Sequence, residues 1–107
     1  MFAKQFVGTA TAAYFADVAE KYLTDAEYPI GTVLIIGGDK EVTQSTEENQ
    51  TSIAGTVSEN PGVLMNRGLT GDFVADVALL GRVPCRVVGQ IKKGDLLASS
   101  KLPGVAT

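Results

Sequence analysis

The sequence predicts a mainly β domain, a small barrel or β-clip-like fold of short strands with one short N-terminal helix. Three observations carry that expectation. First, Val77, Leu79, Val83, Cys85 and Val87 share one parity through residues 77–88, and alternate residues of a strand point to one face. Second, the chain repeats one unit throughout: a short apolar run, a turn bearing glycine, another short run. Third, only one stretch, residues 11–23, is rich in helix-forming alanine. The stretch from residue 76 to residue 106 is therefore the expected spine, with Val77, Leu79, Val83, Cys85 and Val87 on one buried face. Gly81 holds the same parity and permits a bend or bulge. Arg82, Pro84 and Arg86 take the other parity, so that face is expected to meet solvent. A second hairpin follows, with Ile91, the turn Lys92-Lys93-Gly94-Asp95, then Leu96-Leu97-Ala98.

Taken in order, residues 1–10 read as an extended leader, with Phe2, Phe6 and Val7 among polar positions, and residues 11–107 as a single β domain. Over residues 11–23, Tyr14, Val18 and Tyr22 recur at four-residue spacing and Thr11 stands where a cap is wanted, which predicts a short helix. Phe15, Val18 and Tyr22 do not fix a helical period on their own, so extended chain competes with it. Residues 25–29 form a turn, since Pro29 pushes Tyr28 away from helical geometry. Thr32-Val-Leu-Ile-Ile36 reads as a buried strand, and Gly38-Asp39 as a hairpin turn into the polar strand Lys40-Glu-Val-Thr43. Residues 44–50 are a polar tract without an apolar anchor, read as a solvated loop. Ser52-Ile-Ala-Gly-Thr-Val-Ser58 resumes strand character, with Ile53 and Val57 on one parity. Glu59-Asn60-Pro61-Gly62 is a turn, Val63-Leu64-Met65 a small apolar plug, residues 66–72 a loop, and residues 73–80 climb into the spine. Pro103-Gly104 makes a last turn.

Composition narrows the functional classes. The 107 residues are 45% hydrophobic and 20% charged, which suits one globular domain. A net charge of −3 and no basic run longer than Lys92-Lys93 argue against nucleic acid or an anionic membrane as the partner. The longest apolar run, Val33-Leu-Ile-Ile36, is too short to cross a bilayer. Residues 1–4 lack a signal-peptide core, and a reducing cytoplasm suits the chain best.

Candidate chemistry is sparse. The chain has no histidine, which removes Ser-His-Asp triads, Cys-His dyads and imidazole metal sites. Cys85 is the single cysteine, so it forms no intrachain disulfide and no thiol metal cluster, and it reads as a packing residue. The carboxylates weighed are Asp17, Glu20, Asp72, Asp76 and Asp95. On a helix, Asp17 and Glu20 would share a face and could form an acid–base pair, although the solvated side of an amphipathic helix looks the same. Asp95 closes a turn through its own side chain, and Arg82 and Arg86 could clamp an anion or simply meet solvent. No catalytic, cofactor-binding or metal residue is assigned, no cofactor is expected, and the balance leans away from an enzyme.

Several segments resemble, in order, a domain found in tail fibres and other structural proteins of tailed phages, cyanophages especially. They are Gly8-Thr-Ala-Thr-Ala-Ala-Tyr-Phe-Ala-Asp-Val-Ala-Glu-Lys-Tyr22, Tyr28-Pro-Ile-Gly-Thr-Val33, Gly37-Gly-Asp-Lys-Glu-Val42 and Ala54-Gly-Thr-Val-Ser-Glu-Asn-Pro61. Leu64-Met-Asn66, Gly81-Arg-Val-Pro-Cys-Arg-Val87 and Val88-Gly-Gln-Ile-Lys-Lys-Gly-Asp-Leu-Leu97 complete the series. The resemblance spans nearly the whole chain and is carried by turn and strand signals. It implies a virion structural or assembly module, assembled in the host cytoplasm, homo-oligomeric with a trimer favoured, and partnered by other fibre or virion proteins. Similar domains occur at the C-termini of fibres and spikes, and some resemble intramolecular chaperones that help the trimer fold and then cut themselves off, so an autoprocessing chaperone is the first alternative and a carbohydrate-binding module the second. No clear Ser/Thr–carboxylate pair for self-cleavage is visible in the sequence. Relatives continue past the Pro-Gly turn, so either this chain is truncated or a partner supplies the missing strands. For a trimer, Phe2, Phe6, Tyr14 and Phe15 are expected to be buried along the threefold axis.

Overall fold

A computed structural model describes residues 16–107. It is mainly β, with six strands in one sheet and no helix among the described residues. The strands are β1 (Asp17–Leu23), β2 (Val33–Ile36), β3 (Val42–Gln44), β4 (Ile53–Val57), β5 (Val63–Met65) and β6 (Val74–Gly81). Their order across the sheet is β3-β2-β4-β6-β1-β5, antiparallel except that β5 lies parallel to β1. The sheet curls until the end of β1 reaches β3. Thr24 bridges Val42 in parallel, and the Glu41 N–H donates to the Leu23 carbonyl at 3.2 Å. A small barrel results, with β5 on an outer edge among the described residues.

The interior of the barrel holds Leu34, Val42, Val57, Ala75 and Val77, with Tyr22, Tyr28, Ala54 and Leu79 packed around them. A second cluster of Val33, Cys85 and Ala106, joined by Ile53, Val87 and Leu97, covers the other side of the sheet. Val33 and Leu34 are neighbours in β2 and both have 0% exposure. Alternation sends them to opposite faces, so both faces of this strand are dry. The outer layer is an irregular weave. Residues 105–107 lie between residues 86–88 and residues 98–100, held by Val88 N–H to the Ala106 carbonyl (2.9 Å), Ala106 N–H to the Arg86 carbonyl (2.8 Å) and Thr107 N–H to the Ala98 carbonyl (2.8 Å). Several bonds stitch it to the barrel, among them Val33 N–H to the Gly104 carbonyl and Gly104 N–H to the Ser45 carbonyl, both 2.9 Å, Arg86 N–H to the Gly31 carbonyl at 2.9 Å and Thr56 Oγ1 to the Pro84 carbonyl at 3.1 Å.

Four expectations need correction. The helix expected over residues 11–23 is strand from Asp17 to Leu23, because that stretch pairs with β6 along its length and with β5 over Val18–Glu20. Alanine's helical preference is worth at most about 0.7 kcal/mol per residue, and two ladders of hydrogen bonds outweigh it. Residues 11–15, and with them the leader and the threefold burial expected of Phe2, Phe6, Tyr14 and Phe15, lie outside the described residues. Second, the spine does not present one face. Gly81, at φ 115°, ends β6. Val77 and Leu79 enter the barrel, whereas Cys85 and Val87 join the outer cluster. Third, Ile53 and Val57 also part company despite equal parity. The register shifts beside Leu34, and Gly55 (φ 156°) bulges where a Cβ would run into the Ala78 carbonyl. Fourth, Val63-Leu64-Met65 is no plug but the edge strand β5, with Val63 and Met65 exposed. The polar tract is solvated as expected, with residues 46–49 exposed, and it is held by hydrogen bonds: the Gln50 amide oxygen accepts from Thr46 N–H and Glu47 N–H, and Gln50 N–H donates to Ser99 Oγ at 2.7 Å.

Gly55→Ala tests the bulge. The added Cβ forces the β4–β6 backbones apart, and urea denaturation should show a loss of about 2–3 kcal/mol. Gly68→Ala, where a Cβ meets open space, should stay within about 0.5 kcal/mol.

Candidate functional site

A groove of about 390 Å³ opens beside the seam where β1 meets β3. Residues 23–25 from the end of β1, Lys40 from the β2–β3 turn and residues 70–73 from the loop before β6 line it. Barrel closure places these three segments together. Thr24 is fixed by its bridge to Val42 and by donating its N–H to the Phe73 carbonyl at 3.1 Å. Phe73 keeps 43% of its surface exposed at the groove.

Asp25 is the most constrained ionisable group of the groove. Its Oδ1 accepts from the Tyr28 hydroxyl at 2.6 Å and from Thr24 Oγ1 at 3.3 Å, and its Oδ2 accepts from Thr43 Oγ1 at 2.9 Å. Partial burial pushes its pKa up, but the Tyr28 and Thr43 hydroxyls outweigh this and hold the carboxyl below its ordinary value. Tyr28 is shifted the opposite way, raised by burial and by donating to Asp25. The groove thus carries two carboxylates, Asp25 and Asp72, one ammonium and one accessible aromatic ring. Thr24 and Thr43 set their hydroxyls against the Asp25 carboxylate, each donating a hydrogen bond to it.

The weighed carboxylates scatter. Only Asp72 lines the groove. Asp17 and Glu20 are three apart on a strand and so point to opposite faces, which removes them as a pair. Glu20 accepts from the Tyr22 hydroxyl at 3.4 Å. Asp76 pairs with Lys21, its cross-strand neighbour, at 3.4 Å. Asp95 closes its turn as expected: its Oδ2 accepts the Lys92 N–H at 2.8 Å, and its own N–H donates to the Lys92 carbonyl. Arg82 and Arg86 are exposed. Cys85 is buried, and burial pushes its thiol up to about 11, so it is a neutral packing group at pH 7.

One pair that the sequence hid is Asp17 with Ser58. Ser58 Oγ donates to Asp17 Oδ2 at 2.7 Å across 41 residues, and both side chains are buried. Asp17 Oδ1 has no hydrogen-bond partner among the described residues. A hydroxyl beside a carboxylate is the arrangement in which a base activates a nucleophile; here both groups are buried, at 3% and 6% exposure. The signal was absent from the sequence because β6 stands between the strands that bring the two together. Among the described residues no group of three or more Cys, Asp or Glu is placed to hold a metal ion, and no helix is long and apolar enough to cross a membrane. Compared with family models, curated proteins and solved structures, the chain matches none.

The hydroxyl bonds make a measurable difference. Tyr28→Phe removes the shortest of them, so the Asp25 pKa should rise toward its ordinary value in an NMR titration. A lowered pKa stabilises the fold above the unfolded-state value, and that stability is lost as pH falls through the folded-state value. The variant should therefore be less stable than the wild type at neutral pH, and the gap should shrink on acidification.

Proposed function

We propose that the chain is a structural or assembly module of a phage tail fibre or related virion appendage, non-enzymatic and working as a homo-oligomer, with a trimer favoured. Two things support the reading. One is the ordered resemblance of seven segments. The other, which carries the assembly half of the proposal, is a row of apolar side chains laid across three strands. Val63 on β5 and Leu80 on β6 both pair with Val18 on β1, beside a shift in the β1–β6 register, so the three are cross-strand neighbours. Val63 is 54% and Leu80 68% exposed. Among the described residues β5 is a sheet edge, the kind of feature that proteins cover or blunt. A second copy burying this row gains about 1.5–3 kcal/mol for each side chain fully withdrawn from water. The buried Asp17–Ser58 pair reads as a structural hydrogen bond inside that module.

Sedimentation of the full chain at micromolar concentration tests the proposal. The wild type should sediment as an oligomer, and Leu80→Asp should weaken association by about tenfold or more while changing monomer stability by less than about 0.5 kcal/mol, since Leu80 is mostly outside the core. A wild type that stays monomeric would sink the assembly reading.

A further inference from the structure

The groove beside the β1–β3 seam and the turn at residues 92–96 have complementary chemistry. Leu96 is 90% exposed, more than any other large apolar residue among those described. It sits on a turn made rigid by Asp95, which bonds the Lys92 N–H, and by Gly94 at φ 93°. Lys92 and Lys93 flank it, both exposed. The turn is not in its own groove, which is lined only by residues 23–25, 40 and 70–73. That groove offers what the turn lacks: an exposed aromatic face at Phe73 and the carboxylates of Asp25 and Asp72, which outnumber the single ammonium of Lys40.

The charge of the chain is divided along the same line. Residues 17–81 hold eleven carboxylates against three basic side chains, whereas residues 82–107 hold Arg82, Arg86, Lys92, Lys93 and Lys101 against Asp95 alone. Two copies meeting through like segments would repel; meeting barrel against outer layer, they attract.

We propose that the turn at residues 92–96 of one copy seats in the groove of a second copy, with Leu96 against Phe73 and the two lysines toward Asp25 and Asp72. The contact joins different surfaces of the two chains, the head-to-tail kind from which a ring such as a trimer is built when its rotation closes. The inference rests on the homo-oligomeric reading and adds a second pair of meeting surfaces to the apolar row.

Sedimentation equilibrium of the full chain at low and high salt tests it. Association should weaken as salt rises. Lys92→Glu with Lys93→Glu should weaken it by about tenfold or more at low salt, as should Asp72→Lys, an exposed residue outside the core. All three changes in one chain should restore association toward the wild-type value, which loss of folding could not do. If association is intact in the reversed-charge chains but abolished by Leu80→Asp, the turn-in-groove contact is wrong and the assembly reading stands. If every chain, wild type included, is monomeric at both salts, both fall.

Discussion

The structure depends on a sheet that is dry on both sides at β2. In β2, Val33 and Leu34 are consecutive and fully buried, one facing the outer cluster and the other the barrel interior. A 92-residue described unit with a single core would leave one face of its sheet wet. This one covers it with its last 26 residues, which form little regular secondary structure of their own. Their backbone groups are satisfied by each other and by the sheet, as in the exchange among Val33, Ser45 and Gly104. Glycine makes the arrangement sterically possible at two points. Gly55 lets β4 and β6 approach, and Gly81 turns the chain from the sheet into the layer.

Local chemistry made much of this legible. The apolar run 32–36 with glycines at each end, the Gly38-Asp39 reversal, the strand around residues 53–57 and the climb into β6 all follow from propensity and turn residues, and all are present. The Asp95 turn was readable because its bonds span three residues. What was not readable is long-range. Residues 17–23 look helical by composition and become strand only because β5 and β6 are there to pair with them. Parity predicted one buried face for the spine and failed at Gly81, since parity counts residues and a positive φ resets the count. With Leu79 and Val87 on different sides, parity lends no support to the resemblance, which stands on the order of its segments alone.

The groove and the Asp17–Ser58 pair were hidden for the same reason. Residues 25, 40 and 72 are far apart in sequence, and only closure of the barrel through Thr24 and Val42 gathers them. Asp25 looked like a turn residue and is one, yet its three hydroxyl donors also fix its charge at the mouth of the groove. The surfaces left over, an apolar row on β1, β5 and β6 and a projecting Leu96, are those a lone monomer gains nothing by exposing.

Whether barrel and outer layer are one cooperative unit is the central physical question, and native-state hydrogen exchange addresses it residue by residue. The amides of Val33, Val88, Ala106 and Thr107, which tie the layer to itself and to the sheet, should open with free energies within about 1 kcal/mol of those in β4 and β6. Layer amides that exchange through local openings several kcal/mol cheaper, with the barrel still protected, would mean that the sheet is stable without its cover and that its two dry faces are not the basis of the fold.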